Sequence, residues 1–216
     1  MTIYEAMTKR HSVRNYKDKA IEQNLIAALN QEIDRCNQES GLSIRLITEN
    51  NTIFKGIMAF LGGFRRASNC IALIGQMSDD LEEKSGYYGE RIALRAQQLG
   101  LNTCWVGATY KKDKCRAILA EKEKLVCVLA LGYGTTQGVP HPSKPMAQLC
   151  KVDGTMPEWF QNGMKAAMLA PTAQNKQDFL ISLNGEEVFF DGKEGVYSKV
   201  DLGIVKYHFQ KGAASL

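Results

Sequence analysis

The chain has 216 residues, 44% of them hydrophobic and 23% charged, which excludes disorder as its main state and supplies enough apolar surface for one sizeable core. A net charge of +4 is too slight to predict a nucleic-acid surface. The longest apolar run, Leu125 to Leu131, falls far short of the roughly 20 residues a membrane helix needs.

No apolar leader follows Met1, since the first residues carry Lys9, Arg10 and Arg14, and the chain reads as cytoplasmic. Six cysteines occur without a CxxC, and His11, His141 and His208 lie far apart, so reduced thiols and no metal site are expected. One domain is expected over residues 1–216, with no linker dividing it.

Helical and strand patterns alternate along the chain. A helix-like start runs from Thr2 to Lys9. Ile21, Leu25, Leu29 and Ile33 recur at helical spacing, and after Gly41 the run Ser43 to Thr48 reads as a strand. Cys70 to Ile74 reads as a buried strand. Ser78-Asp79-Asp80 offers capping groups for a helix that places Tyr88, Ile92, Ala96 and Leu99 on one face and ends at Gly100. Leu125 to Leu131 is apolar on both faces and belongs at the centre of a covered sheet. Glycines and prolines make Gly132 to Pro145 a loop. A helix over 156–169, a strand over 179–183, an Asn184-Gly185 hairpin turn, a returning strand over 188–190 and a helix over 201–210 complete the chain. The units 21–48 and 156–183 share a layout, as two similar helix–strand halves would.

Familiar catalytic signatures fail. Gly132, Gly134 and Gly138 are spaced GxGxxxG rather than GxGxxG, and the prolines that follow forbid the helix a dinucleotide needs. There is no phosphate loop of the GxxxxGK[ST] kind and no GxSxG elbow.

Three other stretches carry chemistry. Arg10, His11, Ser12 and Arg14 crowd polar groups into five residues. If the chain is extended there, Ser12 and Arg14 share a face on which a hydroxyl and a planar guanidinium can hold phosphate; a basic surface segment is the alternative. Thr172, Asn175 and Gln177 follow Pro171 with groups that both donate and accept, suited to a heterocycle or a polyol; a helix-to-strand loop is the alternative. Trp105, Val106 and Gly107 leave a helix in a short apolar stretch, where Gly107 would let a ligand approach the backbone; a buried turn with a core tryptophan is the alternative.

Together RHSVRNY, GERIALRAQQLGLNTCWVG, VCVLALGYG, APTAQNKQ and DLGIVKYHF resemble the nitroreductase family of flavoproteins. The resemblance implies an α+β, nitroreductase-like sandwich with a central, mostly antiparallel sheet flanked by helices. It implies a homodimer with FMN at the interface. Arg10, His11, Ser12 and Arg14 would hold the FMN phosphate, ribityl chain and N1–O2 edge, with Arg14 the catalytic cation. Trp105, Val106 and Gly107 would lie against the ring, Pro171, Thr172, Ala173 and Asn175 would contact it, and Ser143 and Lys144 would add a second phosphate contact.

The activity implied is hydride transfer from NAD(P)H through flavin N5 to a nitroaromatic, quinone or similar small acceptor, in ping-pong order. A flavin-binding or redox-sensing protein without steady turnover is the alternative. In the usual family order the APS motif comes early. Here it lies at 170–175, which leaves open which subunit supplies Asn175, and Asp178-Phe179 stands where the family has Pro-Trp.

Overall fold

The computed structural model describes residues 1–50, 52–113 and 119–215; the side chains of residues 57, 58 and 215 are set aside, and Cys115 lies outside the described residues. Helix α1 (Ile3–Lys9) opens with a reciprocal cap. Thr2 Oγ1 accepts the Glu5 N–H at 3.1 Å, and the Glu5 carboxylate accepts the Thr2 N–H at 2.7 Å.

Helix α2 (Gln23–Ser40) buries Leu29, Ile33 and Cys36 and stops at Gly41, whose φ of 73° suits a residue without Cβ. Two sheets follow. The first contains β1 (Arg45–Ile47), β2 (Asn69–Gln76), β3 (Asn102–Val106) and β4 (Glu123–Gly132) in the order β1-β2-β4-β3, all antiparallel. The apolar run at 125–131 is indeed an interior strand, buried on both faces along its second half.

One face of this sheet, with Ile71, Leu73, Leu129 and Leu131, packs under α2 and two further helices, α4 (Leu81–Gln98) and α6 (Ser198–Ser215). The other, with Cys70, Ala72, Ile74, Val128 and Ala130, is covered by Val13, Tyr16, Ile53, Phe54 and Phe64, beside the short α3 (Ile57–Leu61). The second sheet contains β5 (Cys150–Val152), β6 (Phe179–Asn184) and β7 (Glu187–Gly192). Here β5 pairs parallel to β6, and β6 antiparallel to β7. Phe179, Ile181 and Leu183 of β6 join the core that holds Leu73 and Leu129, so one apolar core touches both sheets.

α4 ends as expected from Gly100. The Gly100 N–H bonds Gln97 O at 3.1 Å and the Leu101 N–H bonds Ala96 O at 2.9 Å, with φ of +81° at the glycine. Its start differs. The Asp80 carboxylate caps no backbone N–H; it accepts from the Ser78 hydroxyl and pairs with Lys84. The hairpin turn also shifts by one residue: Asn184 pairs with Glu187, so Gly185-Glu186 is the central pair, with φ of +61° at Gly185. The units 21–48 and 156–183 differ in where their strands lie, since β1 is an edge strand and β6 an interior one.

α4 and α6 run side by side in the same direction, Glu83 beside Gly203 and Glu90 beside His208. Their backbones touch at two glycines. A Cβ at Gly86 would stand 2.0 Å from Val200 O, and one at Gly203 2.0 Å from Glu83 O. Helix α5 (Glu158–Ala167) packs on α6 through Phe160 and Phe209, with ring centroids 5.2 Å apart and Gly163 beneath the Phe209 ring.

Candidate functional site

Residues 12–16 are extended because both flanks bond them. Val13 N–H bonds Thr103 O of β3 (3.0 Å), and Tyr16 N–H bonds Arg65 O (3.0 Å). Arg65 N–H returns to Arg14 O at 3.0 Å, and Thr135 N–H bonds Asn15 O at 3.0 Å. Side chains alternate over residues 12–14, with Val13 buried between the exposed Ser12 and Arg14; Asn15 is exposed as well, and Tyr16 turns back into the core. Arg14 stands beside Gly63 and enters none of the ion pairs among the described residues.

Arg10 departs from the expectation of a phosphate ligand. It is 3% exposed, and its Nε lies 3.3 Å from Glu90 Oε1, too poorly angled for a hydrogen bond. Its Nη1 is also buried without a hydrogen-bond partner, so the guanidinium sits in the core and not on the exposed face of Ser12 and Arg14. His11 is half-buried, and its pKa goes down, by burial first and by the charges of Arg10 and His141 next. It is therefore a neutral donor or acceptor rather than a phosphate-binding cation.

Trp105, Val106 and Gly107 separate. Val106 is 3% exposed in the core beneath the sheet, so its side chain reaches no ligand. The Trp105 indole lies over Gly89 of α4 and donates to Glu90 Oε2 at 2.8 Å. Gly107 is close-packed, as its missing side chain suggested, but against the protein itself. Tyr197 Oη donates to Gly107 O at 2.6 Å, and its ring fills the space where a Cβ would be.

β3 is an edge strand, and Thr103 turns its carbonyl outward to Val13. By the two-residue repeat of an antiparallel ladder, Trp105 also turns its main-chain N–H off that free edge.

The loop over 133–145 bridges the N-terminal stretch and the turn at 172–177. At one end Asn102 Oδ1 accepts the Gly134 N–H at 2.9 Å, and Gly138 packs on His11 and Ser12. At the other, Pro142 O accepts from Asn175 Nδ2 and Gln177 Nε2, both at 2.9 Å. Lys144 Nζ donates to Gln177 O at 3.1 Å and pairs with Asp178, and Ser143 Oγ donates to Met168 O at 3.3 Å. These donors hold the loop, with Ser143 exposed and Lys144 half-buried.

The 172–177 turn is equally self-bound. Thr172 Oγ1 accepts the Gln177 N–H at 3.0 Å, and Asn175 Oδ1 accepts from Gln177 Nε2 at 3.0 Å. The half-buried Pro171 and Ala173 contribute main chain. Gln174, Asn175 and Gln177 all have left-handed φ, at 54°, 55° and 48°. Such conformations in non-glycine residues cost energy and collect at functional sites.

Sequence reasoning missed Asp201, at the start of α6. Its oxygens accept the Ala173 N–H at 2.9 Å, and burial lifts its pKa to about 7 against that bond, with Asp178 adding to the rise and Lys176 opposing it. It also missed Glu90, whose signal was available: a carboxylate on the helix face that carries Gly86, Ala93 and Gln97. Glu90 is fully buried. Burial alone would raise its pKa, but Arg10, His208 and Trp105 outweigh that and hold it low. Burial raises the thiols of Cys36 (to about 12), Cys104, Cys127 and Cys150, which disfavours their thiolate forms.

An antiparallel sheet flanked by helices, an arginine–serine stretch laid along its edge strand and a strained APTAQN turn define a nitroreductase fold. The chain matches the family described as "Putative TM nitroreductase" over residues 2–213 and belongs to it. Among solved structures, a Thermotoga maritima protein described as a nitroreductase in the same terms is 19% identical, with a TM-score of 0.65 over 97% of this chain and 82% of that one. A Desulfovibrio desulfuricans nitroreductase solved in complex with FMN is 17% identical, with a TM-score of 0.55 over 68% and 94%. A Clostridium difficile FMN-dependent nitroreductase is 19% identical, with a TM-score of 0.51 over 61% and 87%. No curated protein matches the chain. No helix among the described residues is long and apolar enough to cross a membrane.

Proposed function

We propose that the protein is an FMN-dependent oxidoreductase that passes hydride from NAD(P)H to a nitroaromatic, quinone or similar small acceptor, the two taking turns at one place. The observation that carries this reading is the exposed Ser12–Arg14 face on the edge of β3, a cation outside the ion pairs of the described residues and a hydroxyl, near the Trp105 main-chain N–H that turns off the same edge. That donor set fits a phosphate and the polar edge of a ring. When bound, FMN supplies the acceptance and release of hydride.

The chain's own groups bind and orient. Ser12, with His11 as a neutral partner, takes the phosphate and ribityl end. Arg14 offers positive charge to the N1–O2 edge, where charge develops on reduction. The Trp105 main-chain N–H serves the N5 side of the ring, and the Trp105 and Tyr197 rings exclude water from it.

Two chains build the site in this reading. The exposed Phe60 and Leu61 on α3 lie next to Gly63, which touches Arg14, so a second copy covering that apolar tip would close over the same cation.

The experiment is an absorption spectrum of the purified protein after incubation with FMN, then with NAD(P)H and a quinone added in turn. A flavin band that bleaches with NAD(P)H and returns with quinone is expected. Protein that takes up no FMN refutes the reading, and flavin that NAD(P)H does not reduce shifts it to a binding or sensing protein.

A further inference from the structure

Glu90 lies at the meeting point of four segments. Its Oε2 accepts the Trp105 indole N–H of β3 at 2.8 Å; its Oε1 lies 3.0 Å from His208 Nε2 of α6 and 3.3 Å from Arg10 Nε, at the end of α1. The other ring nitrogen of His208 lies 3.0 Å from Ala166 O, one residue before the end of α5 and the loop that leads to Pro171. Glu90 and His208 are both wholly buried. The Trp105 indole N–H, the His208 ring and the Arg10 guanidinium all face the carboxylate, and the second His208 nitrogen faces the Ala166 carbonyl. A buried carboxylate held by two hydrogen bonds and an ion pair is costly to disturb, because each lost partner leaves a polar group with no water to replace it.

We infer that Glu90 is a positioning residue, a buried clamp that fixes Trp105 and the Arg10 turn relative to each other and so holds the Ser12–Arg14 stretch in place along β3. The main-chain bond from Val13 to Thr103 ties the same two segments on the other side, so the stretch is gripped twice. Through His208 and Ala166 the clamp also reaches the helix that carries the 172–177 turn. The inference deepens the reading above and rests on it for the cofactor, but the clamp has a signature of its own.

The test is Glu90→Gln made in a Trp159→Phe protein, which leaves Trp105 as the single indole of the chain. Glutamine keeps the shape but presents an NH2 to one set of donors. The expected results are a shifted Trp105 emission maximum and faster exchange of its indole N–H, together with FMN binding weakened about tenfold or more. Unchanged emission and exchange overturn the clamp. A changed indole with undiminished FMN affinity overturns its role in positioning.

If neither protein binds FMN, the flavin reading fails while the indole signals still decide the clamp. If the Gln variant does not fold, the Trp159→Phe protein alone suffices: its indole N–H must be protected from exchange, and rapid exchange overturns the inference.

Discussion

Gly203→Ala sets two effects of opposite sign against each other. In the interior of a helix, alanine is favoured over glycine by about 1 kcal/mol. At Gly203 the new Cβ would stand 2.0 Å from Glu83 O, 2.8 Å from Tyr87 N and 3.0 Å from Glu83 C. These are backbone atoms of α4 and cannot swing aside as a side chain would. The helices must separate by about 1 Å, and overpacking of this kind costs about 1–3 kcal/mol, here at the upper end because main chain meets main chain.

The separation also stretches the Glu90–His208 bond, five residues further along α6. The net loss is about 2 kcal/mol, which in a chain of this size lowers Tm by about 4–8 °C. Thermal unfolding followed by circular dichroism measures it. Gly195→Ala, where nothing lies within 4 Å of the new Cβ, serves as the control. A Gly203→Ala protein that melts at or above the parent temperature refutes the close crossing and the reasoning built on it.

Other outcomes follow from single contacts. Asp201, lifted to about 7 in the fold from about 4 in the unfolded chain, is protonated in the folded state over the range where the unfolded chain has lost its proton. It therefore makes stability fall by at most about 1.4 kcal/mol per pH unit from about pH 4 to 7. Asp201→Asn should flatten the Tm-against-pH curve there and raise Tm at pH 8; an unaltered slope contradicts the assignment. Gln174→Gly should raise stability by up to about 1 kcal/mol, since Gln174 is exposed with φ of 54°, and a lower Tm would count against the left-handed turn. Arg14→Ala should leave Tm within about 1 °C yet weaken FMN binding about tenfold, the worth of one charge-assisted hydrogen bond; fluorescence titration with equal affinities would remove Arg14 from the site.

The fold was readable where one local rule dominates. The apolar 125–131 run could only be a covered interior strand, and Gly100 could only end α4. The shared face of Ser12 and Arg14 was equally legible, because side chains two apart on extended chain point the same way, although the burial of Tyr16 two residues further on was not.

What escaped depends on partners distant in sequence. Arg10 and Arg14 look alike in the string RHSVR, and only the buried face of α4, with Glu90 on it, makes one a core group and leaves the other at the surface. Gly107 signalled close approach but not that Tyr197, ninety residues on, is what approaches. The polar groups of APTAQN were counted as available to a ligand, yet most bond the 142–145 loop or each other, which nothing local to the motif reveals.

α6 holds the two threads on which the candidate pocket depends, Asp201 under Ala173 and His208 beside Glu90. On the ribosome, both sheets can be synthesised before that helix exists. The nascent chain then has the ingredients of the pocket without its fastenings. If FMN binds as proposed, its capture is thereby deferred until the helix docks, and proteolytic loss of that helix would release it even from a molecule whose sheets stay intact.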